Sequence, residues 1–332
     1  MSDHLLDIDG MTIDLRGRRR GEARRRVIHD VSLTIASGES VGLVGESGSG
    51  KSMTTKAVMG LLPRGAQVSG SLLYRGKDIT SFSRKELSAY RAHQVAMIYQ
   101  DPRAHTNPLV KIGDFLVEGV VASRQMSRSQ ARERAHALLR DVGITDAGRR
   151  LNQYPHELSG GLLQRVMIVM TLMGAPSLIL ADEPTTALDV TVQAEVVAIL
   201  AEQIRDRSLG MLFITHDLDL AAAINDTLAV MYAGAIVERG SATAVYNRPR
   251  HPYTIGLLAS RPSLDEVRRL DAIPGRPLSA FEVAEGCVFA SRCPLVSEQC
   301  LVERPALRMV DEREVACHHV DVTADHPTGV SA

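Results

Sequence analysis

A glycine-rich stretch directly after a short apolar run constrains this chain more than any other feature. Residues 40–44 read SVGLV, residues 45–52 read GESGSGKS, and the helix predicted over residues 53–62 would end at Pro63. The stretch matches the pattern G-x-x-x-x-G-K-S/T, in which glycines let backbone N–H groups turn inward and cradle phosphate oxygens at a helix N-terminus. A flexible glycine-rich loop without a ligand is the alternative, and the strand–loop–helix context favours a phosphate site.

The residue types in this loop predict a nucleoside triphosphate together with Mg²⁺. Lys51 would bring a positive charge to the β- and γ-phosphates, and the Ser52 hydroxyl would ligate Mg²⁺. The predicted contacts to the nucleotide are Gly45, Glu46, Ser47, Gly48, Ser49, Gly50, Lys51 and Ser52.

Two acidic residues follow an apolar run later in the chain. Residues 178–181, LILA, lead into Asp182 and Glu183. An acid at the carboxyl end of a strand beside a phosphate loop is where the Mg²⁺-binding acid of such enzymes sits, which assigns Asp182. Glu183 could serve as general base toward an attacking water. Alone this strand end is a weak signal, but together with the phosphate loop it predicts a hydrolytic site.

The first 250 residues have the pattern of an α/β protein. Short apolar runs alternate with amphipathic helices, one of them at residues 126–142, and such runs suit strands of a parallel sheet. At 332 residues the length predicts about two domains. Recurrent prolines after His251 place the boundary near residue 255.

Composition excludes several classes of protein. With 38 Lys+Arg against 39 Asp+Glu, the chain lacks the basic excess of a dedicated nucleic-acid binder, and 45% hydrophobic residues exclude overall disorder. The longest uncharged stretch, residues 166–181, is shorter than the ~20 residues of a membrane-spanning helix. The acidic N-terminus shows no secretory signal, so we expect a cytoplasmic protein.

The segment LSGGLLQR at residues 158–165 begins another predicted helix. Ser159, Gly160 and Gly161 would form a second anion-binding N-terminus, with a helix cap that binds no ligand as the alternative. In this order, the phosphate loop, LSGG, ADEPTTALD and THD resemble the ATP-binding subunit of ABC transporters over nearly the whole chain. The resemblance implies an ATPase with the P-loop NTPase fold, a RecA-like core plus a helical subdomain at about residues 101–175.

Further family elements follow in the expected order. Gln100, in MIYQDP, matches the glutamine that senses Mg²⁺ and water and borders the groove for a membrane subunit. Asp189, in the segment ALD, matches the region that crosses to the opposite subunit. His216, in FITHDL, matches the histidine that contacts the γ-phosphate and holds the base and water in place. The LSGG segment would cover the γ-phosphate held by a second subunit, so two subunits would enclose two ATP molecules.

The tail resembles the oligopeptide/dipeptide importer subfamily, through HPYT at residues 251–254, IPGRP at residues 273–277 and GCVFASRCP from Gly286. The resemblance implies a nucleotide-binding domain over residues 1–255 and an importer-type C-terminal domain over residues 256–332. The implied partners are a homologous or identical second ATPase, two membrane permeases and an extracytoplasmic binding protein, with the chain at the cytoplasmic face of the inner membrane. A nickel chelate, glutathione, an opine or a glycoside is an alternative cargo, and a non-transport soluble ABC ATPase is the alternative function.

One departure from the family concerns the adenine base. Such cassettes usually stack adenine on an aromatic residue upstream of the phosphate loop, but this chain has no Phe, Tyr or Trp before Tyr74. Leu15 or the arginine-rich residues 16–26, RGRRRGEARRR, occupy that region. Arginine planes can stack on bases, whereas a solvated surface loop is the alternative. We therefore expect weak discrimination between bases.

All four cysteines, Cys287, Cys293, Cys300 and Cys317, fall near the end of the chain. In a reducing cytoplasm, clustered thiols favour metal ligation over disulfides. Four thiolates can hold Zn²⁺ or a 4Fe–4S cluster, and the spacing lacks the C-x2-C pairs typical of structural zinc. Resemblance to the importer tail favours the 4Fe–4S cluster, with zinc and unligated buried cysteines as alternatives.

Overall fold

The computed structural model describes most of the chain, namely residues 4–17, 22–186, 188–260, 272–283 and 285–322. The chain divides into two compact units. Unit 1 is made of the described parts of residues 1–5, 35–39 and 81–213. Unit 2 is made of the described parts of residues 6–34, 40–80 and 214–332.

Strands and helices alternate along the chain, as predicted for an α/β protein. The strands are β1 (His4–Leu15), β2 (Arg25–Ala36), β3 (Ser40–Val44), β4 (Gln67–Tyr74), β5 (Lys77–Asp78), β6 (Val95–Ile98), β7 (Leu178–Asp182), β8 (Gly210–Thr215), β9 (Thr227–Tyr232), β10 (Ala235–Ser241), β11 (Arg308–Val310) and β12 (Arg313–Val315). The helices are α1 (Lys51–Val58), α2 (Arg84–His93), α3 (Ile112–Ala122), α4 (Arg128–Asp141), α5 (Ala147–Arg150), α6 (Gly160–Met173), α7 (Val190–Arg207), α8 (Leu218–Ile224), α9 (Ala242–Asn247), α10 (Pro252–Ala259) and α11 (Glu298–Val302). Short 3₁₀ helices cover Ile79–Ser81, Pro155–Glu157, Ala280–Glu282 and Ala290–Arg292.

Unit 1 combines buried strands with the helices α2 to α7. β6 pairs in parallel with β7, and Ile98 lies opposite Ala181, so the carboxyl ends of both strands lie side by side. The predicted amphipathic helix is α4, which begins with a capping box. Its N-cap Ser127 accepts a hydrogen bond from the backbone of Gln130, whose side chain accepts one from the Ser127 backbone in return.

Unit 2 carries strands on both sides of the phosphate-loop sequence. β2, β1, β4 and β5 form one sheet in that order, with β4 antiparallel to β1 and β5, and a second set runs β11, β12, β10, β9 and β3. β3 pairs in parallel with β9, so that Val44, the last residue of β3, lies opposite Val230. The phosphate loop therefore begins at the carboxyl end of a buried parallel strand, as the apolar sequence SVGLV predicts.

Residues beyond the predicted domain boundary share a core with this strand. Val288 and Phe289 are buried in one apolar cluster with Val44 and with Tyr253, which lies just before that boundary. The ring of Tyr232 meets Tyr253 edge-on at 4.7 Å and Phe289 at 5.2 Å, a geometry that aromatic pairs favour. The tail has too little apolar periodicity to fold alone, and Phe289 joins it to the core that contains the last residue of β3.

The predicted division at residue 255, with a helical subdomain at about residues 101–175, stays a prediction. α3, α4, α5 and α6 lie within that second range and belong to unit 1. None of the helices in the described ranges is both long and apolar enough to span a membrane.

Candidate functional site

The phosphate-loop residues of unit 2 curve around the side chain of Lys51. Its ammonium group donates hydrogen bonds to the carbonyl oxygens of Gly45, at 2.6 Å, and Glu46, at 3.0 Å. Lys51 is only 4% exposed, because α1 begins at this residue and its side chain folds back over the loop. These contacts hold a positive charge inside the loop, where a phosphate group would be bound.

At two positions of the loop, the backbone structure requires glycine. A Cβ on Gly45 would lie 2.1 Å from the carbonyl oxygen of Met231 in β9, so no side chain fits there. Gly50 has a φ of 108°, which only glycine adopts readily, and this conformation turns the chain into α1. Gly48 has open space beside it, where a ligand can approach the backbone.

The loop also contains a polar atom that suits a ligand. Within the described part of the chain, the buried Ser49 hydroxyl oxygen has no hydrogen-bond partner. Buried polar groups are nearly always paired, so an unpaired hydroxyl in this loop is consistent with a missing phosphate partner. The loop residues Gly45 to Ser52 thus fit a nucleotide phosphate chain, and Ser52 lies in the first turn of α1, where a Mg²⁺ ligand is expected.

Distant residues clamp Glu46, the second residue of the loop. Its backbone N–H donates to the Tyr253 hydroxyl at 3.0 Å, and burial raises the pKa of that phenol. Its carboxylate accepts two hydrogen bonds from the guanidinium of Arg292, Nη1 to Oε2 at 2.7 Å and Nη2 to Oε1 at 3.3 Å. Arg292 is 6% exposed and also donates from Nε to the carbonyl of Pro274 at 2.8 Å. A bidentate ion pair with a buried guanidinium therefore fixes the loop from the C-terminal part of the chain.

Unit 1 brings the predicted catalytic base, Glu183, into contact with Gln100, a predicted Mg²⁺ contact. Glu183 follows β7 directly, and its Oε2 accepts hydrogen bonds from Gln100 Nε2 at 3.2 Å and from Thr186 Oγ1 at 2.9 Å. Gln100 follows β6, the parallel neighbour of β7, which explains how residues far apart in sequence meet. Asp182 is the last residue of β7 and is half-buried.

The backbone of Glu183 lies in the left-handed region, with a φ of 47°. For a residue with a side chain this conformation costs on the order of 1–3 kcal/mol. The conformation turns the carboxylate toward Gln100 and Thr186. Thr186 was missed by the sequence reasoning, although it lies within the motif ADEPTTALD and is only three residues away.

The LSGG residues begin a helix, as predicted. Ser159 is the N-cap of α6 and accepts a hydrogen bond from the Leu162 backbone at 3.4 Å. Gly160 and Gly161 form the first turn, and a Cβ on Gly161 would lie 2.5 Å from Val192 of α7. Gly161 therefore lets the two helices approach closely while leaving Ser159 exposed to solvent.

Asp189 begins the neighbouring helix, and its side chain caps α7 by accepting a hydrogen bond from the Val192 backbone at 3.0 Å. The adjacent Ala187 lies outside the described residues. His216 is exposed immediately after β8, where Asp217 caps α8 and donates its backbone N–H to the Thr215 hydroxyl at 3.0 Å. This turn holds His216 at the end of a buried strand.

The four cysteines are gathered in one part of unit 2. The Cys287 backbone donates to the Cys300 carbonyl at 2.8 Å, and Cys300 and Cys317 are buried. Burial, together with the neighbouring thiols, raises the pKa of Cys293 to about 11. However, the described residues contain no group of three or more His, Cys, Asp or Glu side chains that could hold a metal ion. The described geometry therefore does not form the ligand set that a 4Fe–4S cluster needs.

Part of the arginine-rich segment is paired with the protein itself. Arg26 binds Asp14 through two hydrogen bonds, at 3.0 and 3.1 Å, and this contact holds the pKa of the carboxyl below its usual range. Arg24 donates to the carbonyl of Gly65 at 2.7 Å. These contacts favour a structural role for the two residues. Residues 18–21 lie outside the described part of the chain.

The geometry agrees with sequence matches to known proteins. Residues 28–186 match the ABC transporter family, and residues 237–300 match the C-terminal region of oligopeptide/dipeptide transporters. The oligopeptide transport ATP-binding protein OppD of Salmonella typhimurium is 44% identical, over 82% of this chain and 82% of its own. The dipeptide transport ATP-binding protein DppD of Escherichia coli is 40% identical, over 98% of this chain and 99% of its own.

A solved structure has the same fold. The cbiO1 protein of Clostridium perfringens, part of the ABC transporter complex cbiONQ, is 24% identical with a TM-score of 0.63, covering 74% of this chain and 91% of that one. The predicted P-loop NTPase fold of an ABC cassette is thereby confirmed. Together with the 40–44% identity to the two transport ATP-binding proteins, this shows that the chain belongs to the ABC transporter family.

Proposed function

We propose that the chain is the ATP-hydrolysing subunit of an ABC importer for dipeptides or oligopeptides. The observation that carries the hydrolytic part is Glu183, a carboxylate held by Gln100 and Thr186 at the end of a buried strand. A protein that only bound ATP would need no such carboxylate. The peptide cargo is supported by the relatives, whose names assign them oligopeptide and dipeptide transport.

Each predicted residue has a role in this proposal. In unit 2, the loop N–H groups and Lys51 would bind the phosphates, and the Ser52 hydroxyl would ligate Mg²⁺. In unit 1, Asp182 and Gln100 are the proposed further Mg²⁺ ligands. When bound, Mg²⁺ neutralises charge on the β- and γ-phosphate oxygens.

The chemistry is the in-line attack of water on the γ-phosphate, with ADP as leaving group. Glu183 orients the water and accepts its proton, while His216 contacts the γ-phosphate. Ser159, Gly160, Gly161 and Asp189 would contact the nucleotide of a second subunit. Hydrolysis then depends on dimer formation, because each nucleotide needs residues of both subunits.

We further propose that a homologous or identical ATPase, two permeases and an extracytoplasmic binding protein complete the importer, and that the permeases hold this chain at the cytoplasmic face of the inner membrane. ATP would close the dimer and change the facing of the permeases, and hydrolysis would reset them. The permeases and binding protein select the cargo, so a nickel chelate, glutathione, an opine or a glycoside is the alternative cargo. A non-transport soluble ABC ATPase is the alternative function.

Uptake by cells tests this proposal. In cells that lack the chain, wild-type protein should restore uptake of labelled dipeptides and tripeptides, and Lys51→Ala should not. Lys56→Ala is the matched control, since it removes an exposed lysine from the same helix. Restored uptake of one of the other cargoes, with no uptake of either peptide, would replace the peptide assignment.

An iron–sulfur cluster on Cys287, Cys293, Cys300 and Cys317 remains a separate prediction. It is supported by the gathering of all four cysteines in one region, and the absence of a metal-holding group among the described residues counts against it. Anaerobic purification of the full chain, with assays of iron, sulfide and zinc, decides the question. About four irons per chain, lost in Cys293→Ser, would support the cluster. Stoichiometric zinc, or no metal at all, would replace it with one of the two alternatives.

A further inference from the structure

An arginine of the arginine-rich segment and a phenylalanine that no motif contains meet on the surface of unit 2. Phe281 lies in the 3₁₀ helix Ala280–Glu282 and is 53% exposed. The guanidinium carbon of Arg25, at the start of β2, lies over the Phe281 ring, 5.7 Å from its centroid. Arg25 is itself held by a hydrogen-bonded ion pair with Glu22, and its side chain remains 48% exposed. An aromatic ring and a guanidinium plane together form the kind of surface on which nucleobases stack.

Hydrogen bonds tie the segment that carries Phe281 to β2. The ring of His29 lies with Nε2 2.8 Å from the carbonyl oxygen of Ala280, the residue before Phe281. A carbonyl oxygen can only accept, so Nε2 carries the proton and donates it. Burial lowers the pKa of His29, and the hydrogen bond to Ala280 opposes that shift. Phe281 is therefore held beside the strand that begins at Arg25.

The same strand and segment contact the phosphate loop through one turn. Gly234, between β9 and β10, accepts a hydrogen bond from the His29 backbone at 2.8 Å and donates one to the carbonyl of Ser49 at 2.7 Å. A Cβ on Gly234 would lie 3.1 Å from the Cβ of Ala280, which shows how closely the turn approaches that segment. A Cβ on Gly50 would lie 2.8 Å from the side chain of Ile28 in β2. Arg25 and Phe281 thus lie near the phosphate loop in the same unit.

The region before the phosphate loop offers no alternative ring. Tyr74 is the first Phe, Tyr or Trp of the chain, and it is only 4% exposed in β4. A nucleotide whose phosphates are bound by the loop would otherwise leave its base in contact with no aromatic side chain from this region. Phe281 supplies an exposed ring from a segment that follows the loop by more than two hundred residues.

We propose that Phe281 and Arg25 form the stacking surface for the purine base of the bound nucleotide, with the ring supplied by the C-terminal part of the chain. The inference rests on the proposed ATP site at the phosphate loop. Every purine has a flat π-face, so stacking tolerates both adenine and guanine. The surface therefore accounts for base binding and predicts similar affinities for ATP and GTP.

Equilibrium binding to the purified full chain tests the proposal with three probes: ATP, GTP and inorganic tripolyphosphate, which has no base. Phe281→Ala should weaken ATP and GTP binding by about 5- to 100-fold, the loss typical of one stacked base, and leave tripolyphosphate binding unchanged. Phe281→Tyr should bind all three probes as the wild type does. Arg25→Ala should weaken ATP and GTP binding by a smaller factor, because the ring remains.

Two control variants separate the possible failures. Met309→Ala removes a side chain that is 68% exposed elsewhere in unit 2 and should change nothing. Lys51→Ala should weaken all three probes, and wild-type ATP binding in this variant would overturn the proposed ATP site itself. Unchanged ATP binding in Phe281→Ala, or an equal loss of tripolyphosphate binding, would overturn the stacking surface while leaving the ATP site in place.

Discussion

Two glutamates among the predicted site residues differ in which parts of the chain hold their side chains and backbone. Glu183, in unit 1, receives hydrogen bonds from Thr186, three residues further on, and from Gln100 on the adjoining strand. Glu46, in the phosphate loop of unit 2, is held by Tyr253 and Arg292, which are 207 and 246 residues away in sequence. The first carboxylate is positioned by its own strand end and the second by the far part of the chain.

The different surroundings of Glu183 and Glu46 imply different roles, catalysis for Glu183 and loop stability for Glu46. Gln100 and Thr186 are exposed, so their hydrogen bonds with Glu183 compete with water and contribute little to folding. Arg292 is buried, and removing its partner or its own charge leaves an uncompensated charge in a site of low polarity. We therefore expect changes around Glu183 to alter turnover alone, and changes around Glu46 to alter stability together with nucleotide binding.

The largest effect is expected for Glu183→Gln. The amide keeps the shape of the side chain but cannot accept a proton from water, so turnover by the assembled transporter should fall by about 10²–10⁴-fold with ATP binding retained. Steady-state hydrolysis and equilibrium ATP binding measure the two quantities. Glu202→Gln, the same change at an exposed position of unit 1, serves as control. Turnover at the wild-type rate in Glu183→Gln would remove this residue as the base.

The second largest effect is expected for Arg292→Met, which removes the ion pair between Arg292 and Glu46. Breaking a buried ion pair costs about 3–5 kcal/mol, so the free energy of unfolding should fall toward the lower end of that range, since the Glu46 side chain is partly exposed. Chemical denaturation measures this, and KM for ATP should rise because the loop loses a support.

The matched control for Arg292→Met is Arg276→Met, which breaks a surface ion pair with Glu282 and should leave the free energy of unfolding nearly unchanged. Combining Glu46→Gln with Arg292→Met should cost less than the sum of the two single changes, because the second change removes the charge that the first leaves unpaired. Additive losses, or equal losses in the two arginine variants, would contradict the clamp.

The smallest effect concerns the local support of Glu183. Thr186→Val removes one hydrogen bond to the carboxylate and should lower turnover several-fold, corresponding to about 1 kcal/mol, without a measurable change in the melting temperature. Thr186→Ser retains the hydroxyl and should restore the rate. If Thr186→Val lowered the free energy of unfolding as much as Arg292→Met does, the proposed difference between Glu183 and Glu46 would be wrong.

Much of the site could be predicted because its motifs are contiguous. The loop from Gly45 to Ser52 needs only local backbone geometry, namely a buried strand, glycines at a close approach and a positive φ, and a helix start. Asp182 and Glu183 follow from an apolar strand end and Ser159 from a helix start, whereas Asp189 was assigned only by resemblance to the family. Each feature depends on residues within one or two turns, so the sequence pattern carries it.

The sequence by itself determined the class of fold, the phosphate loop and the acidic strand end, because local hydrogen bonding and the burial of short apolar runs require those residue types at those positions. Only the tertiary structure decided that Arg292 and Tyr253 hold Glu46, and that Phe281 meets Arg25 near the loop. These contacts join segments more than two hundred residues apart, and no local pattern encodes such a pairing. The shared core around Tyr232 and Phe289 produces it, because burying the rings brings the C-terminal segment against the strand that ends in the loop.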